Sequence, residues 1–227
     1  MQPWIDVTDG EAFDPVRRRD RMVEEQIASR GVDQPDTLRA LREVPRHRFV
    51  PPELVASAYE DRPLGIGHGQ TISQPYIVGY MTAAVARPGA RVLEVGTGCG
   101  YQAAVLSRIV REVHTIEIVP ALARAAAERL ARLGYASVIV HAGDGALGWM
   151  EGAPYDAILV SCGAPDIPPA LLQQLARGGR LICPVGPARD RQELVVAAKD
   201  QTGAVTTWPT IGVRFVPLTG PSGAEAA

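Results

Sequence analysis

Arg91-Val-Leu-Glu-Val-Gly-Thr-Gly-Cys-Gly-Tyr-Gln102 is the stretch that decides the fold. A short apolar strand, Arg91–Val95, runs into Gly96-x-Gly98-x-Gly100, and Tyr101–Val110 then reads as a helix. Glycines at a strand-to-helix turn let the backbone turn tightly and let a ligand approach the main chain. Downstream the alternation continues. Glu112–Ile116 reads as a strand, Ala121–Leu133 as a helix with Leu122, Ala126, Leu130 and Leu133 on one face, and Ser137–His141 as a strand. Tyr155–Val160 is an apolar strand of buried type, and Pro169–Leu175 a helix that Gly178-Gly179 breaks. Arg180–Cys183 is the next strand, Gln192–Lys199 and Val205–Trp208 a hairpin, and Ile211–Val216 a last strand. Strands and helices alternating at this spacing predict an α/β, Rossmann-like fold: a mainly parallel sheet with helices on both faces. Ligands of such sheets bind in the crevice at the carboxyl ends of the strands.

Upstream, residues 16–58 predict an N-terminal helical segment. Met22, Val23 and Ile27 form one apolar face; Thr37–Val44 is a second helix with Asp36 as its N-cap, Leu38 and Leu41 facing inward, and Pro45 as its stop. Pro51-Pro52 opens a third piece. Residues 61–74, DRPLGIGHGQTISQ, read as a glycine-punctuated loop, after which Pro75 starts a helix to about Ala86. Residues 1–15 and 220–227 are polar or small without period and are expected to be loosely ordered.

Composition narrows the function classes. The chain has 227 residues, 46% hydrophobic and 21% charged, with a formal net charge of −2. That balance offers no basic surplus for nucleic acid or anionic lipid. No apolar run reaches the ~18 to 20 residues of a membrane span. The acidic N-terminus lacks the apolar core of a secretory signal. Three separated cysteines (Cys99, Cys162, Cys183) make no disulfide framework. Four histidines (His47, His68, His114, His141) show no zinc-ligand spacing, so no metal is expected. These features predict a reduced, cytoplasmic protein without a membrane or nucleic-acid partner. His68 reads as an exposed loop histidine, Cys162 as a buried small hydrophobe, and Arg17, Arg18, Arg19 and Arg21 as a solvated helix start.

Glu117 closes the second strand of the alternation, 21 residues after Gly96, where a carboxylate can accept from both ribose hydroxyls. A dinucleotide fingerprint would need a third glycine at position 101, and Tyr101 stands there, so a pyrophosphate fits poorly. Gly96-Thr97-Gly98-x-Gly100 with Glu94 before it suits S-adenosylmethionine instead. Asp144-Gly145, after the third strand, adds a carboxylate able to accept from an adenine amino group. Tyr101, with no catalytic Tyr-x-x-x-Lys pair, argues against a nicotinamide-dependent oxidoreductase. Ser161-Cys162 is not the proline-cysteine of a cytosine-type nucleophile, nor does Ser161-Cys-Gly-Ala-Pro165 match the tetrad of DNA amino-methyltransferases.

From about Met22 to Thr219 the chain resembles the protein-L-isoaspartate (D-aspartate) O-methyltransferase family. The matching stretches are GQTISQP (69–75), VLEVGTGCGYQ (92–102), GDG (143–145), PYDAILV (154–160), GGRLICPVG (178–186) and VRFVPLT (213–219). The first is the discriminating one, because glycine loops occur in many methyltransferases. The resemblance implies a single domain over 1–227, with 88–219 as the cofactor-binding core and C-terminal strands. It implies methyl transfer from S-adenosylmethionine, leaving S-adenosylhomocysteine, to the free α-carboxylate of L-isoaspartyl residues in damaged proteins, whose esters collapse through a succinimide. By position it implies that Ser73 is the active-site serine, and that Ile72, Ser73, Glu94, Gly96, Thr97, Gly98, Gly100, Glu117, Asp144, Gly145 and Thr219 meet the cofactor. It further implies that Leu64 and Ile66, with Val213, Arg214 and Val216, receive the substrate peptide by main-chain pairing; a monomer is expected, although the sequence itself does not give the oligomeric state. The chain departs from the pattern at Gly65, where a proline is expected, and carries Tyr76 where some members have histidine. From the residues alone, the favoured reading of Ser73 is a hydrogen bond to the first turn of the following helix, and Ile211–Val216 could be an ordinary antiparallel strand. A small-molecule methyltransferase and a non-catalytic isoaspartyl-recognition module are the competing readings.

Overall fold

The computed structural model describes residues 13–188 and 190–221. In chain order it holds α1 (Pro15–Arg21), α2 (Pro35–Glu43), β1 (Leu64–Gly67), β2 (Gln70–Ile72), α3 (Pro75–Val85), β3 (Arg91–Val95), α4 (Tyr101–Leu106) and β4 (Glu112–Glu117). These are followed by α5 (Pro120–Arg132), β5 (Val138–Ala142), β6 (Tyr155–Val160), α6 (Pro169–Gln174), β7 (Leu175–Val185), β8 (Gln192–Lys199) and β9 (Val205–Val213). Seven strands form one sheet in the order β5-β4-β3-β6-β7-β8-β9. The first five are mutually parallel, and β8 and β9 are antiparallel additions at one edge. The order reverses beside β3, so a crevice opens where β3, β4 and β6 end.

Side chains alternate across this sheet with period two. Val92, Leu159 and Ile182 enter one apolar core with α3, α4 and the N-terminal segment. Their neighbours Leu93, Ile158 and Leu181 enter the other, under α6. Each is fully buried, and truncating such a leucine to alanine costs about 2 to 5 kcal/mol. Met22, Val23 and Ile27 are buried as expected, although Met22–Ile27 winds as a π-helix continuing α1.

Several sequence expectations need correction. The segment read as a loop at 61–74 contains an antiparallel hairpin, β1 paired with β2, irregular at Gly65–Gly67. Gly178-Gly179 does not end a helix but lies inside β7, where the pairing with β6 shifts register. Gly178 has φ +76, which only glycine adopts without strain, and a Cβ on Gly179 would lie 2.8 Å from the Ala176 carbonyl oxygen. Trp208 and Ile211 belong to one continuous strand, β9, which stops at Val213, so no separate strand covers 211–216. Pro209 is tolerated there because β9 is the sheet edge, where a missing N–H leaves no ladder partner wanting. Asp36 is not an N-cap: α2 starts at Pro35 after Gln34, and Asp36 pairs with Arg39 at 2.7 Å in the first turn. At the start of the described chain, Asp14 caps α1, accepting from the Val16 and Arg17 amides, and Phe13 packs edge-on against His47. The remainder of the expected loose ends, 1–12 and 222–227, lies outside the described residues. Among those described, no helix is long and apolar enough to cross a membrane.

Candidate active site

The carboxyl ends of β3, β4 and β6 open into a cleft lined by residues from these strand ends, the β1–β2 hairpin and the chain after β9. One wall is the turn after β3. There Gly96 and Thr97 both donate to the Ile116 carbonyl, which fastens the turn to β4. Gly96 has φ +93 and Gly98 φ +52, conformations that glycine reaches without the cost other residues meet.

Two buried carboxyls face this wall. Glu117, at the end of β4, accepts from the Gly98 amide at 2.8 Å and the Val119 amide at 3.0 Å, one through each oxygen. A carboxylate has about four acceptor positions, so it retains capacity for a pair of hydroxyl donors. Glu94 is fully buried. Its Oε2 accepts from the Thr115 hydroxyl at 2.6 Å, which is itself 2.7 Å from the Thr97 hydroxyl. The other oxygen, Oε1, has no hydrogen-bond partner. Burial, the largest cause, pushes the Glu94 carboxyl up to about 8, reinforced by Glu117 and opposed by the Thr115 bond. A buried acid with an unsatisfied oxygen on a cavity wall is suited to a ligand donor or cation.

The third strand end contributes close packing. A Cβ on Gly145 would lie 2.4 Å from Val95 Cγ1, so no larger residue fits. Asp144 caps the short turn Gly145–Leu147, accepting from the Ala146 amide at 2.9 Å.

The opposite wall comes from remote pieces of chain. The hairpin supplies Gln70, Thr71 and Ile72, followed by Ser73. Ser73 is half-buried, and the N-cap position of α3 belongs to Gln74. The segment Val216–Thr219 completes the wall and is held by main-chain bonds: Gly163 donates to Val216, and Leu218 donates back to Gly163. Gln192 braces the same segment from β8. Its side-chain carbonyl accepts from the Phe215 amide at 2.9 Å while its amide nitrogen donates to Pro187.

Of the residues singled out in the sequence, Ile72, Ser73, Glu94, Gly96, Thr97 and Gly98 line the cavity together with Glu117, Gly145, Val216 and Thr219. Gly100, Asp144, Leu64, Ile66, Val213 and Arg214 do not. Gly100 caps α4 at φ +88, and a Cβ there would lie 3.0 Å from Leu130, so its smallness serves helix packing. Leu64 is a core residue, whereas the tip of Ile66 closes over Gly98. Asp144 stands just behind Gly145 and next to Gly220. Val213 ends β9 and Arg214 is exposed. Sequence reasoning missed Thr115, Gln102 and Ser161. Thr115 faces Glu94 across the β3–β4 register, a pairing that no local feature of the sequence announces. Cys162 lines the cavity while its thiol is pushed well up by burial, in keeping with an inert apolar contact. His68 is exposed as expected. No group of three His, Cys, Asp or Glu side chains able to hold a metal occurs among the described residues.

This donor set fits a nucleoside carrying a cationic amino acid. Glu117 has free acceptor capacity, Glu94 an unpartnered oxygen, and the glycine turn leaves room against the backbone. Tyr101, at the position where a dinucleotide fingerprint has its third glycine, is 1% exposed and packs edge-on against Phe49. Sheet and cleft together define the class of Rossmann-like methyltransferases that use S-adenosylmethionine.

Comparison with known proteins narrows that class. The family model for protein-L-isoaspartate(D-aspartate) O-methyltransferase matches residues 17–223, and the chain belongs to this family. A protein-L-isoaspartate O-methyltransferase of Opitutus terrae is 55% identical over 88% of this chain and 86% of its own. A solved protein-L-isoaspartate O-methyltransferase superposes with TM-score 0.81 at 30% identity, covering 90% of this chain and 67% of its own. A Plasmodium falciparum relative, solved with S-adenosyl-L-homocysteine, gives TM-score 0.76 at 25% identity over 88% and 98% of the two chains.

Proposed function

We infer that this protein is a protein-L-isoaspartate O-methyltransferase, methylating the free α-carboxyl of L-isoaspartyl residues in damaged proteins with S-adenosylmethionine. The observation that carries this reading is the cleft of a chain from this family, with Glu94, the glycine turn and Glu117 on one side and Ser73 on the other. When bound, S-adenosylmethionine supplies an electrophilic methyl group on a sulfonium. Glu117 would hold its ribose, Glu94 its amino-acid cation, and Gly96, Thr97, Gly98 and Gly145 would give close backbone approach. Ile72 and Thr219 would close over it, with Gly100 and Asp144 shaping the wall from behind.

The acceptor carboxylate is already ionised at neutral pH, its ordinary pKa lying near ~4, so no strong general base is required. The protein's task is alignment and exclusion of water. The Ser73 hydroxyl would hold one acceptor oxygen by a hydrogen bond and orient it, without acting as a nucleophile. Main-chain groups near Leu64, Ile66, Val213, Arg214 and Val216 would receive the peptide, which favours tolerance of flanking side chains. The methyl ester formed is the species from which a neighbouring amide closes the succinimide that begins repair. We also read the chain as one domain acting as a cytoplasmic monomer, with neither membrane nor nucleic acid as partner.

The test is transfer of a labelled methyl group to two matched peptides, one containing L-isoaspartate and one normal aspartate. Label on the first alone is the expected outcome. Label on neither, with S-adenosylhomocysteine shown to bind, would overturn the acceptor assignment and direct the search to small carboxylic acids.

A further inference from the structure

β9 leaves the sheet where the wall opposite the glycine turn begins. In the last register pair Gln192 of β8 stands opposite Val213 of β9, and Arg214 beyond it is exposed. β8 starts at Gln192, so its main chain offers no further rung. The Gln192 side chain takes over: its Oε1 accepts from the Phe215 amide at 2.9 Å. The same side chain is 1% exposed and donates through Nε2 to the Pro187 carbonyl at 3.3 Å. Methionine matches its length but offers only a weak acceptor and no donor.

Gly163 is fitted to this amide. Its φ is not in the left-handed region, so conformation does not demand glycine there. Space does: a Cβ on Gly163 would lie 2.7 Å from Gln192 Cδ, well inside ordinary carbon–carbon contact. Gly163 in turn holds the next residues by main chain, donating to Val216 at 2.8 Å and accepting from Leu218 at 2.7 Å. Gln192 and Gly163 therefore form one clamp on Phe215–Leu218. Neither lines the cleft, whereas Val216, Pro217, Leu218 and Thr219 do.

We propose that Gln192 is a positioning residue for the peptide acceptor: it branches the chain out of the sheet and fixes the main chain of Phe215–Leu218 where the peptide is received. The proposal rests on the functional reading above. Without the Gln192 acceptor the Phe215 amide loses its partner, and the segment shifts to find another. A seat made of main chain is sensitive to such a shift, because its hydrogen bonds depend on distance and angle. The strand-end wall is fastened separately, through Ile116 and Glu117, and keeps its geometry.

The test is steady-state methylation of an isoaspartyl peptide by the full chain, beside calorimetry of S-adenosylhomocysteine, at a temperature where circular dichroism shows each variant folded. Gln192→Met should raise the peptide KM about tenfold, with kcat within about threefold and S-adenosylhomocysteine affinity within about twofold of the wild type. Gly163→Ala, which pushes the amide off Phe215, should do the same. Combined with Gln192→Ala it should raise KM no further than Gln192→Ala alone, because the crowding is relieved. A merely structural glutamine would lower stability without separating peptide from cofactor. Additive rises, a peptide KM for Gln192→Met within about twofold of the wild type, or equal losses of peptide and cofactor affinity would each overturn the inference. Should the variants fail to fold, hydrogen exchange of the free wild type decides: the Phe215 and Leu218 amides should exchange as slowly as those of β8. Exchange as fast as at Arg214 would overturn the clamp. No methylation of the peptide by the wild type, with S-adenosylhomocysteine bound, would instead overturn the functional reading.

Discussion

Glu117 and Ser73 face the same cavity from walls assembled in opposite ways. Glu117 belongs to a wall made of consecutive strand ends, where the turn after β3 is tied to the neighbouring strand through Ile116, Thr115 and Glu117 itself. Its groups are buried and hydrogen-bonded before any ligand arrives. Ser73 belongs to a wall gathered from a three-residue strand, the start of α3 and the chain after β9, the last of these held by Gly163 and Gln192. Those groups are half-exposed. The first wall is rigid and preorganised for one unvarying ligand. The second presents main chain and a hydroxyl, which suits a peptide acceptor whose side chains vary.

If that division of labour is right, breaking the first wall should damage cofactor binding most. Glu117→Ala leaves the Gly98 and Val119 amides without their acceptor and removes the ribose partner. Loss of charged hydrogen bonds of this kind costs about 2 to 3 kcal/mol, so S-adenosylhomocysteine affinity should fall by a factor of 30 to 150. Titration calorimetry measures this directly. A loss under threefold would mean that the strand-end wall does not carry the nucleoside.

Ser73→Ala probes the second wall and should separate from the first in kind. Cofactor affinity is expected to stay within about twofold, while kcat on an isoaspartyl peptide falls about tenfold, the worth of one orienting hydrogen bond to a charged group. Equal losses in cofactor affinity and turnover would erase the distinction between the walls. Unchanged turnover would remove Ser73 from the chemistry.

The same contrast explains what was legible in the sequence. The strand-end wall is local: Glu94, the glycine turn, Glu117 and Gly145 sit at fixed places relative to strands whose apolar runs announce them. Strand and turn are therefore readable within a residue or two at β3, β4 and β6, whereas the helix after β3, expected to run to Val110, ends at Leu106. The other wall is non-local. Its hairpin hides behind Gly65, Gly67 and Gly69, which read as loop because strands of four and three residues show no period. Pro209 lies where the expected strands Val205–Trp208 and Ile211–Val216 part, and the edge position of β9 makes a proline there harmless. Val213 and Arg214 matched the family motif, yet nothing in the local sequence reveals that the chain turns into the cavity only at Val216. Thr115 went unread for a related reason. Its partner lies on another strand, and register is a property of the assembled sheet.

The smallest effect concerns the foundation of the strand-end wall. His141 precedes the Gly143–Gly145 turn, stacks on Trp149 at 4.0 Å between ring centroids, and shares a 2.9 Å hydrogen bond with His114. With both rings neutral, one nitrogen donates and the other accepts. Burial, and then the neighbouring His114, hold the His141 pKa below its ordinary 6.5. The folded state therefore binds fewer protons than the unfolded chain, so this contribution is complete above about pH 6.5 and is lost as pH falls through the folded value. Because the ring is partly solvated, screening keeps the effect small. Between pH 7 and 5, Tm should fall about 1 to 2 °C more in the wild type than in His141→Gln, a difference within reach of a fraction of a kcal/mol for a chain this size. Parallel curves would show that the pair does not titrate as a unit. Saturating S-adenosylhomocysteine should raise both curves without changing that difference, since the imidazoles lie beneath the cleft and not in its lining.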